Sequence, residues 1–137
     1  MKAETNQAGA HPFDFIMKNP RDKKPRTTGI TEIRGPYYSV IGKHYLKDIL
    51  ETMGEYVDAL KFAGGSFTVI HPTALQEIIE TAHAYNVLVS TGGFIEYVLT
   101  QGKGVVEKYI QTCKAAGFDI IDYHAALSPC RPMTGFV

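Results

Sequence analysis

The sequence predicts an α/β fold in which about four strand–helix units form a partial (β/α)8 barrel, or TIM barrel, with parallel strands. Helix stops recur at residues 54, 86 and 117, which are 32 and 31 residues apart. A short apolar strand candidate precedes each of the three helix patterns, and a fourth follows the last helix. A strand that returns parallel to its predecessor needs a crossover helix, and the whole unit takes about 30 residues. This alternation therefore indicates a parallel sheet.

The length of the chain limits how much of a barrel it can form. Eight such units take about 250 residues, and 137 residues have room for about half of them. A doubly wound open sheet is the alternative on pattern alone. However, the two Gly-Gly loops, GGSFTV and TGGFIE, lack the G-x-G-x-x-G spacing of that fold's phosphate-binding turn.

Three segments differ in composition. Residues 1–26 are polar and end in KNPRDKKPR, whose prolines and charges predict an extended or disordered arm with solvated lysines and arginines. The partial-barrel domain is predicted over residues 27–122. Residues 123–137 contain two prolines and no helical period, so we expect an irregular, non-homologous tail.

Each unit of the domain combines a strand with a buried helix face. The strands are predicted at ITEI, VDALKF, VLVST and FDIID. Apolar residues that recur at i, i+3, i+4 and i+7 predict the helix faces. These positions are Leu46, Ile49, Leu50 and Met53 in the first helix, Leu75, Ile78, Ile79 and Ala82 in the second, and Val106, Tyr109, Ile110 and Cys113 in the third.

Proline, glycine and asparagine residues predict where these helices begin and end. Pro72 suits the first turn of a helix, where its missing N–H costs nothing. Gly54 is predicted to end the first helix in the left-handed conformation, which glycine adopts without a Cβ clash. Asn86 and Gly117 are the corresponding stops of the next two helices.

Composition argues against several classes of function. The chain has 14 basic and 14 acidic residues, so its charge supports neither nucleic-acid binding nor attachment to an anionic membrane surface. Its apolar runs fall short of the roughly 20 residues that span a bilayer. The first residues lack a signal or transit pattern, and cytoplasm is the expected location. Cys113 and Cys130 form neither a disulfide framework nor a metal motif, and Cys113 is expected in the core.

The residues that follow each strand are the candidates for a binding site, because ligands bind at the carboxyl ends of the strands in parallel βα folds. In ALKFAGGSFTVIHP, Lys61 places an ammonium group at the carboxyl end of the second strand. The glycines after it let backbone N–H groups approach an anion closely. A phosphate, carboxylate or sulfonate fits this chemistry. The candidates are Glu32 and Arg34 after the first strand, Lys61, Gly64, Gly65 and Ser66 at the second, and Gly92, Gly93 and Glu96 after the third.

Simpler explanations exist for these residues. A lysine at a strand end is often only solvated, and paired glycines often only form turns. His71, Glu80 and His83 suggest a metal site, but Glu80 and His83 fall on a helix that is predicted to pack outside the sheet. Tyr37 and Tyr38 either close over a ligand or pack beneath their loop.

Four motifs connect the chain to a known family. They are KPRTTGITEIRGPYYSVIG, MGEYVDALKFAGGSFTVIHP, NVLVSTGGFIEYVLTQG and CKAAGFDIID, which occur in this order between residues 24 and 122. Together they resemble the phosphosulfolactate synthase family, and especially its eukaryotic branch related to the plant heat-stress-associated proteins. The resemblance implies a (β/α)8 barrel.

The resemblance also implies a reaction and its residues. Archetypal members of the family are lyases that add sulfite to phosphoenolpyruvate with Mg²⁺, giving phosphosulfolactate for coenzyme M biosynthesis. The resemblance assigns Lys61 and Glu96 to catalysis, and Glu96 is also a candidate metal ligand. It assigns the two glycine loops to the family's loops after the second and third strands, where they are candidates for anion binding. In such a reaction Mg²⁺ would supply Lewis-acid stabilisation of the negative charge on the substrate carboxylate, and Lys61 would stabilise this charge further or donate the closing proton.

Two departures from the family pattern limit this assignment. TEIRGPYY follows the eukaryotic branch, which leaves the substrate open. After FDII the family continues into four more βα units, whereas this chain continues as DYHAALSPCRPMTGFV. We therefore expect a half-length relative that is inactive alone, with two open sheet edges that favour homo-oligomers. The alternative is a non-catalytic, stress-associated protein that acts through protein contacts.

Overall fold

The computed structural model describes residues 11–35 and 42–123, and the backbone of 133–136. The fold is α/β, as predicted. Five strands, β1 to β5, span Glu32–Gly35, Ala59–Phe62, Leu88–Ser90, Ile120–Tyr123 and Met133–Phe136. Four helices, α1 to α4, span Lys43–Met53, Pro72–Ala84, Ile95–Leu99 and Lys103–Ala116. Short 3-10 turns occupy Gly54–Tyr56, Ser66–Thr68 and Gly92–Phe94.

The order of the strands is that of a barrel segment. Strands β1 to β4 are parallel and follow one another in the sheet in chain order, so each pairs with the next along the sequence. A doubly wound sheet reverses its strand order near the first strand, and this sheet does not. The arrangement therefore matches a partial (β/α)8 barrel.

The hydrophobic core lies between the sheet and the helices. Alternate strand residues such as Leu60, Phe62 and Val89 are buried in one cluster with Leu46 of α1 and Ile79 of α2. Because strand side chains alternate between the two faces, the remaining positions point to the opposite side of the sheet. Cys113 is buried, as expected.

The predicted helix faces are correct in their centres and wrong at two positions. Met53 is 56% exposed because it is the last residue of α1, and Ile110 is 39% exposed on α4. Helix α2 begins at Pro72, as expected. The short helix α3 was not predicted from the sequence.

The helix stops also differ in their geometry. Gly117 has the expected left-handed conformation, with a φ of 96°, and Asn86 has a φ of 54°. Gly54 does not: its φ is −59°, and the chain continues there into a 3-10 turn. The left-handed prediction for Gly54 is therefore wrong, although α1 does end before it.

The last described strand corrects the expected tail. Strand β5 pairs antiparallel with β4, and Ile120 is opposite Phe136. The expectation of an irregular tail is therefore wrong for Met133–Phe136. Strand β5 covers the outer edge of β4, so the two outer strands of the described sheet are β1 and β5. Self-association remains a prediction.

The N-terminal arm contains a charge cluster that the sequence reading missed. Asp58 directly precedes β2, and its side chain is only 8% exposed. Its carboxylate forms ion pairs with Arg26 at 2.8 Å and with Arg21 at 3.2 Å. It also accepts the Thr31 N–H at 2.8 Å. Although burial opposes ionisation, these partners hold the pKa of Asp58 below its ordinary value.

Lys24 adds to this attachment. Its ammonium group donates to the carbonyl oxygens of Gly54 at 3.1 Å and Tyr85 at 2.9 Å. Burial lowers the pKa of Lys24. The prediction of solvated lysines and arginines is therefore wrong for Arg21, Lys24 and Arg26, which anchor the arm beneath the amino-terminal ends of the strands.

Within the two long described segments, no helix combines the length and apolar composition needed to cross a bilayer.

Substitution of Asp58 by Asn tests the arm attachment. We expect Asp58→Asn to lower the free energy of unfolding by roughly 3 kcal/mol, because Arg26 is left nearly buried without its counter-charge. Because the pKa of Asp58 is depressed in the folded state, its contribution is present above the unfolded pKa and is lost as the pH falls through the folded pKa. Urea denaturation at neutral and acid pH measures both effects.

Glu51→Gln is the matched control, since Glu51 forms an exposed i, i+4 pair with Lys47. Its removal should change the unfolding free energy by less than about 0.5 kcal/mol. Equal effects of the two substitutions would contradict the anchoring role of Asp58.

Candidate functional site

The face of the sheet that points away from the core, which we call the inner face, carries the candidate site. Strand alternation and register place on it Glu32 and Arg34 of β1, Ala59 and Lys61 of β2, Leu88 and Ser90 of β3, and Ile120 and Asp122 of β4. This face borders a cleft of about 830 Å³. Leu88, at the amino-terminal end of β3, is 41% exposed there. The cleft therefore presents an open apolar surface at that end of the strand.

Lys61 lies between two carboxylates. Its Nζ is 2.7 Å from Oε1 of Glu32 and 2.7 Å from Oδ2 of Asp122. Glu32 comes from the neighbouring strand β1, whereas Asp122 lies two strands away on β4. The residue of β3 in register with Lys61 is Ser90, whose small side chain leaves space for this longer contact.

The three charges are unequally exposed. The side chain of Asp122 is 4% exposed, that of Lys61 13% and that of Glu32 28%. Apart from Lys61, the buried Oδ2 of Asp122 has no partner among the described residues. We call these three side chains the lysine clamp; together they carry a charge of −1.

The electrostatics of the clamp keep Lys61 protonated. Burial alone would lower the pKa of Lys61, but the hydrogen bonds and charges of Asp122 and Glu32 outweigh it and raise that pKa above its ordinary value. Lys61 therefore carries a positive charge at neutral pH, within a cluster whose net charge is −1. This differs from the solvated lysine that was the simpler explanation.

The two glycine loops meet at the carboxyl ends of β2 and β3. Gly65 has a φ of 73°, and a Cβ atom there would overlap the ring of Phe94, which directly follows the second loop. Gly92 has a φ of 61°, and a Cβ atom there would lie 2.5 Å from the carbonyl oxygen of Phe62. Glycine is thus required at both positions for close packing between the loops.

Some backbone groups of these loops are engaged within the protein. The Ser66 N–H donates to the carbonyl of Ala63, and the Gly92 N–H donates to Oγ of Ser90. The buried Oγ of Ser66 has no hydrogen-bond partner among the described residues. These two amides therefore support the loops, while Gly64 is exposed with open space around its Cα.

The remaining predicted residues lie around the rim. Arg34 is exposed and in register with Lys61. Gly93 lies in the 3-10 turn before α3, and Glu96 occupies an exposed position in the first turn of that helix. The structure thus groups Lys61 and Arg34 on one face and places the glycine loops at the adjacent strand ends.

The alternative metal site of His71, Glu80 and His83 has other contacts instead. Nδ1 of His71 accepts the Thr73 N–H at the start of α2, Glu80 bonds to Gln76, and His83 pairs with Asp119 at 2.9 Å. Within the described ranges, no group of three or more His, Cys, Asp or Glu residues is arranged for a metal ion. Tyr37 and Tyr38 lie outside the described residues.

Asp122 is the functional candidate that the sequence reading did not single out. In the sequence it is the last residue of the predicted strand FDIID, next to the tail. Strand alternation was the available signal, because it places Ile120 and Asp122 on one face and the core residue Ile121 on the other.

Most of the chain is similar to known proteins. The family model described as (2R)-phospho-3-sulfolactate synthase (ComA) matches residues 19–128. The chain is 45% identical over 113 residues to protein HEAT-STRESS-ASSOCIATED 32 of Arabidopsis thaliana, a match that covers 82% of this chain and 40% of that protein. It is 27% identical over 110 residues to phosphosulfolactate synthase of Methanothermobacter thermautotrophicus, covering 80% of this chain and 41% of the relative.

A second phosphosulfolactate synthase, from Methanocaldococcus jannaschii, is 28% identical over 79 residues, or 57% of this chain and 31% of that protein. The chain thus spans about two fifths or less of the length of these relatives. The family match begins within the N-terminal arm and extends past Asp122. It therefore includes the anchoring arginines as well as the lysine clamp.

Alanine substitutions in the glycine loops test the loop packing. Gly92→Ala should lower the free energy of unfolding by roughly 2 kcal/mol more than Gly64→Ala, because only the Gly92 methyl group meets the Phe62 carbonyl. Both residues have a positive φ, so Gly64→Ala controls for the left-handed conformation, which costs about 1 kcal/mol. Chemical denaturation measures the difference. Equal losses would show that the loops do not pack as described.

Proposed function

The chain belongs to the phosphosulfolactate synthase family, and on this basis we propose that its inner face binds a small anionic substrate of the phosphoenolpyruvate type. One observation carries the proposal: Lys61, one residue before the carboxyl end of β2, is held charged, and barrel enzymes bind their substrates at that end of the strands. Arg34, exposed in register with it, adds a second positive charge on the same face.

In the proposed reaction, Lys61 acts on the carbon next to the substrate carboxylate. A lone pair of sulfite sulfur forms a bond to the methylene carbon of phosphoenolpyruvate. The π electrons of the double bond move to the neighbouring carbon and its carboxylate, and that carbon then takes a proton. The ammonium group of Lys61 stabilises the developing negative charge and donates this proton; the proton of bisulfite restores the ammonium group.

A divalent metal suits the donors that are present. Mg²⁺ prefers oxygen ligands and usually binds through one or two carboxylates together with substrate phosphate and water. The inner face supplies Glu32 and Asp122, and the rim supplies Glu96, the candidate ligand from the sequence. When bound, the metal would supply Lewis-acid stabilisation of the substrate carboxylate.

We also propose that catalytic turnover requires more of the barrel than this 137-residue chain provides. The chain spans about two fifths of its longer curated relatives, and the apolar part of its cleft is open. An open site admits water, which weakens electrostatic contacts with the substrate. We therefore propose that the 137-residue chain binds the anion without efficient catalysis.

A second candidate function is a non-catalytic role in the response to heat stress. The observation in its favour is the 45% identity to the Arabidopsis protein, whose name associates it with heat stress, against 27% for the synthase. In that case the lysine clamp would serve stability alone.

Substrate binding separates these two functions. We expect phosphoenolpyruvate to bind, and Lys61→Met to weaken this binding at least about tenfold, because a charged hydrogen bond is lost and two carboxylates are left to repel the anion. Isothermal titration calorimetry without a divalent metal measures the affinity, and ³¹P NMR with sulfite and Mg²⁺ monitors conversion to phosphosulfolactate.

The matched control is Lys47→Met, which removes an exposed lysine of α1 and should leave the affinity unchanged. If phosphoenolpyruvate fails to bind, or binds equally well to Lys61→Met, the substrate site is refuted and the non-catalytic role is favoured.

A further inference from the structure

We infer that Glu32 and Asp122 form a divalent-cation site in which the metal and the Lys61 ammonium group compete for the same carboxylate oxygens. The inference deepens the proposed function by naming ligands for its metal. It places them on the inner face, in β1 and β4, and not in the first turn of α3, where the sequence placed Glu96.

The position of the ammonium group is the first argument. One cation already lies 2.7 Å from an oxygen of each carboxylate, so the backbone positions of β1 and β4 allow both oxygens to surround a single positive charge. A metal ion uses the same two oxygens. No rearrangement of the strands is needed to bring them together.

The burial of Asp122 is the second argument. Its side chain is 4% exposed, and the ammonium group of Lys61 is the one polar partner of its buried Oδ2 among the described residues. A buried carboxylate oxygen ordinarily has several hydrogen-bond partners, since desolvation of an anion is costly. Asp122 therefore retains the capacity to accept a further electropositive partner.

The charge and the space around the clamp are the third argument. Two carboxylates share one ammonium group, and they line a cleft of about 830 Å³. Two protein carboxylates fall short of a complete set of ligands, and Mg²⁺ completes such a set with water and substrate phosphate. This agrees with the absence, among the described residues, of any three-residue metal cluster.

Competition with Lys61 gives the site a distinctive property. While the ammonium group neutralises one of the two carboxylates, a free divalent ion binds weakly. Removal of that charge leaves two acidic groups facing each other, which a metal would relieve. Loss of Lys61 should therefore strengthen metal binding at this site.

Mn²⁺ serves as the probe, because it takes the same oxygen ligands and its unpaired electrons broaden nearby NMR signals. In the unaltered chain, without substrate, Mn²⁺ should first broaden the backbone amide signals of Glu32, Lys61 and Asp122. Broadening that is centred on Glu96, or spread evenly over exposed carboxylates, would overturn the inference. This measurement does not depend on the folding of any variant.

Variants then test the competition. Lys61→Met should bind Mn²⁺ at least about tenfold more tightly than the unaltered chain, measured by the electron paramagnetic resonance of free Mn²⁺. Bound metal should also raise the melting temperature of Lys61→Met, because it stabilises the folded state alone. Unchanged or weaker binding would contradict the competition.

Two further substitutions in the Lys61→Met background assign the ligands. Asp122→Asn should abolish the gain in affinity, whereas Glu96→Gln, a matched change of a rim carboxylate, should leave it intact. The reverse result would place the metal at Glu96. Because no phosphoenolpyruvate is present in these experiments, failure of the metal site is distinguishable from failure of the proposed substrate binding.

Discussion

The placement of the Lys61 ammonium group between Glu32 and Asp122 is the interaction on which the candidate site depends. A lysine with a side chain only 13% exposed loses most of its hydration, and that loss must be offset by opposite charges close by. The two carboxylates come from β1 and β4, so the contact exists only if four consecutive strands are parallel and in register. The clamp thus joins the first and last parallel strands across the inner face, and it orients a cation where barrel proteins bind ligands.

The arm attachment is a second charge cluster beside the same cleft. The Asp58 carboxylate forms ion pairs with Arg21 and Arg26 of the arm, and Arg26 also donates to the carbonyl oxygens of Asp22 and Glu55, as expected for a stabilising contact. The cleft that the lysine clamp lines is also lined by Lys24, Arg26 and Asp58. The arm attachment and the candidate site therefore border one cleft.

Local features of the fold were accessible from the sequence, and non-local pairings were not. Helix faces, Pro72 and Gly117 depend on neighbours within a turn or two, and the sequence displays those neighbours directly. Asp58 and its two arginines are more than 30 positions apart, so nothing local indicates that they meet. The glycine loops illustrate an intermediate case: the need for bare backbone was visible, but its main cause at Gly65 and Gly92 is contact with Phe94 and Phe62.

The central claim is that both carboxylates hold Lys61 charged on the inner face, and an NMR titration of the Lys61 Nζ group tests it most directly. The account predicts a pKa above the ordinary lysine value of about 10.4, and a lower pKa after Asp122→Asn. The stability that the clamp contributes is then present below the unfolded pKa and is lost as the pH rises through the folded pKa. A Lys61 that titrates at or below the ordinary value, with no response to Asp122→Asn, would contradict the account.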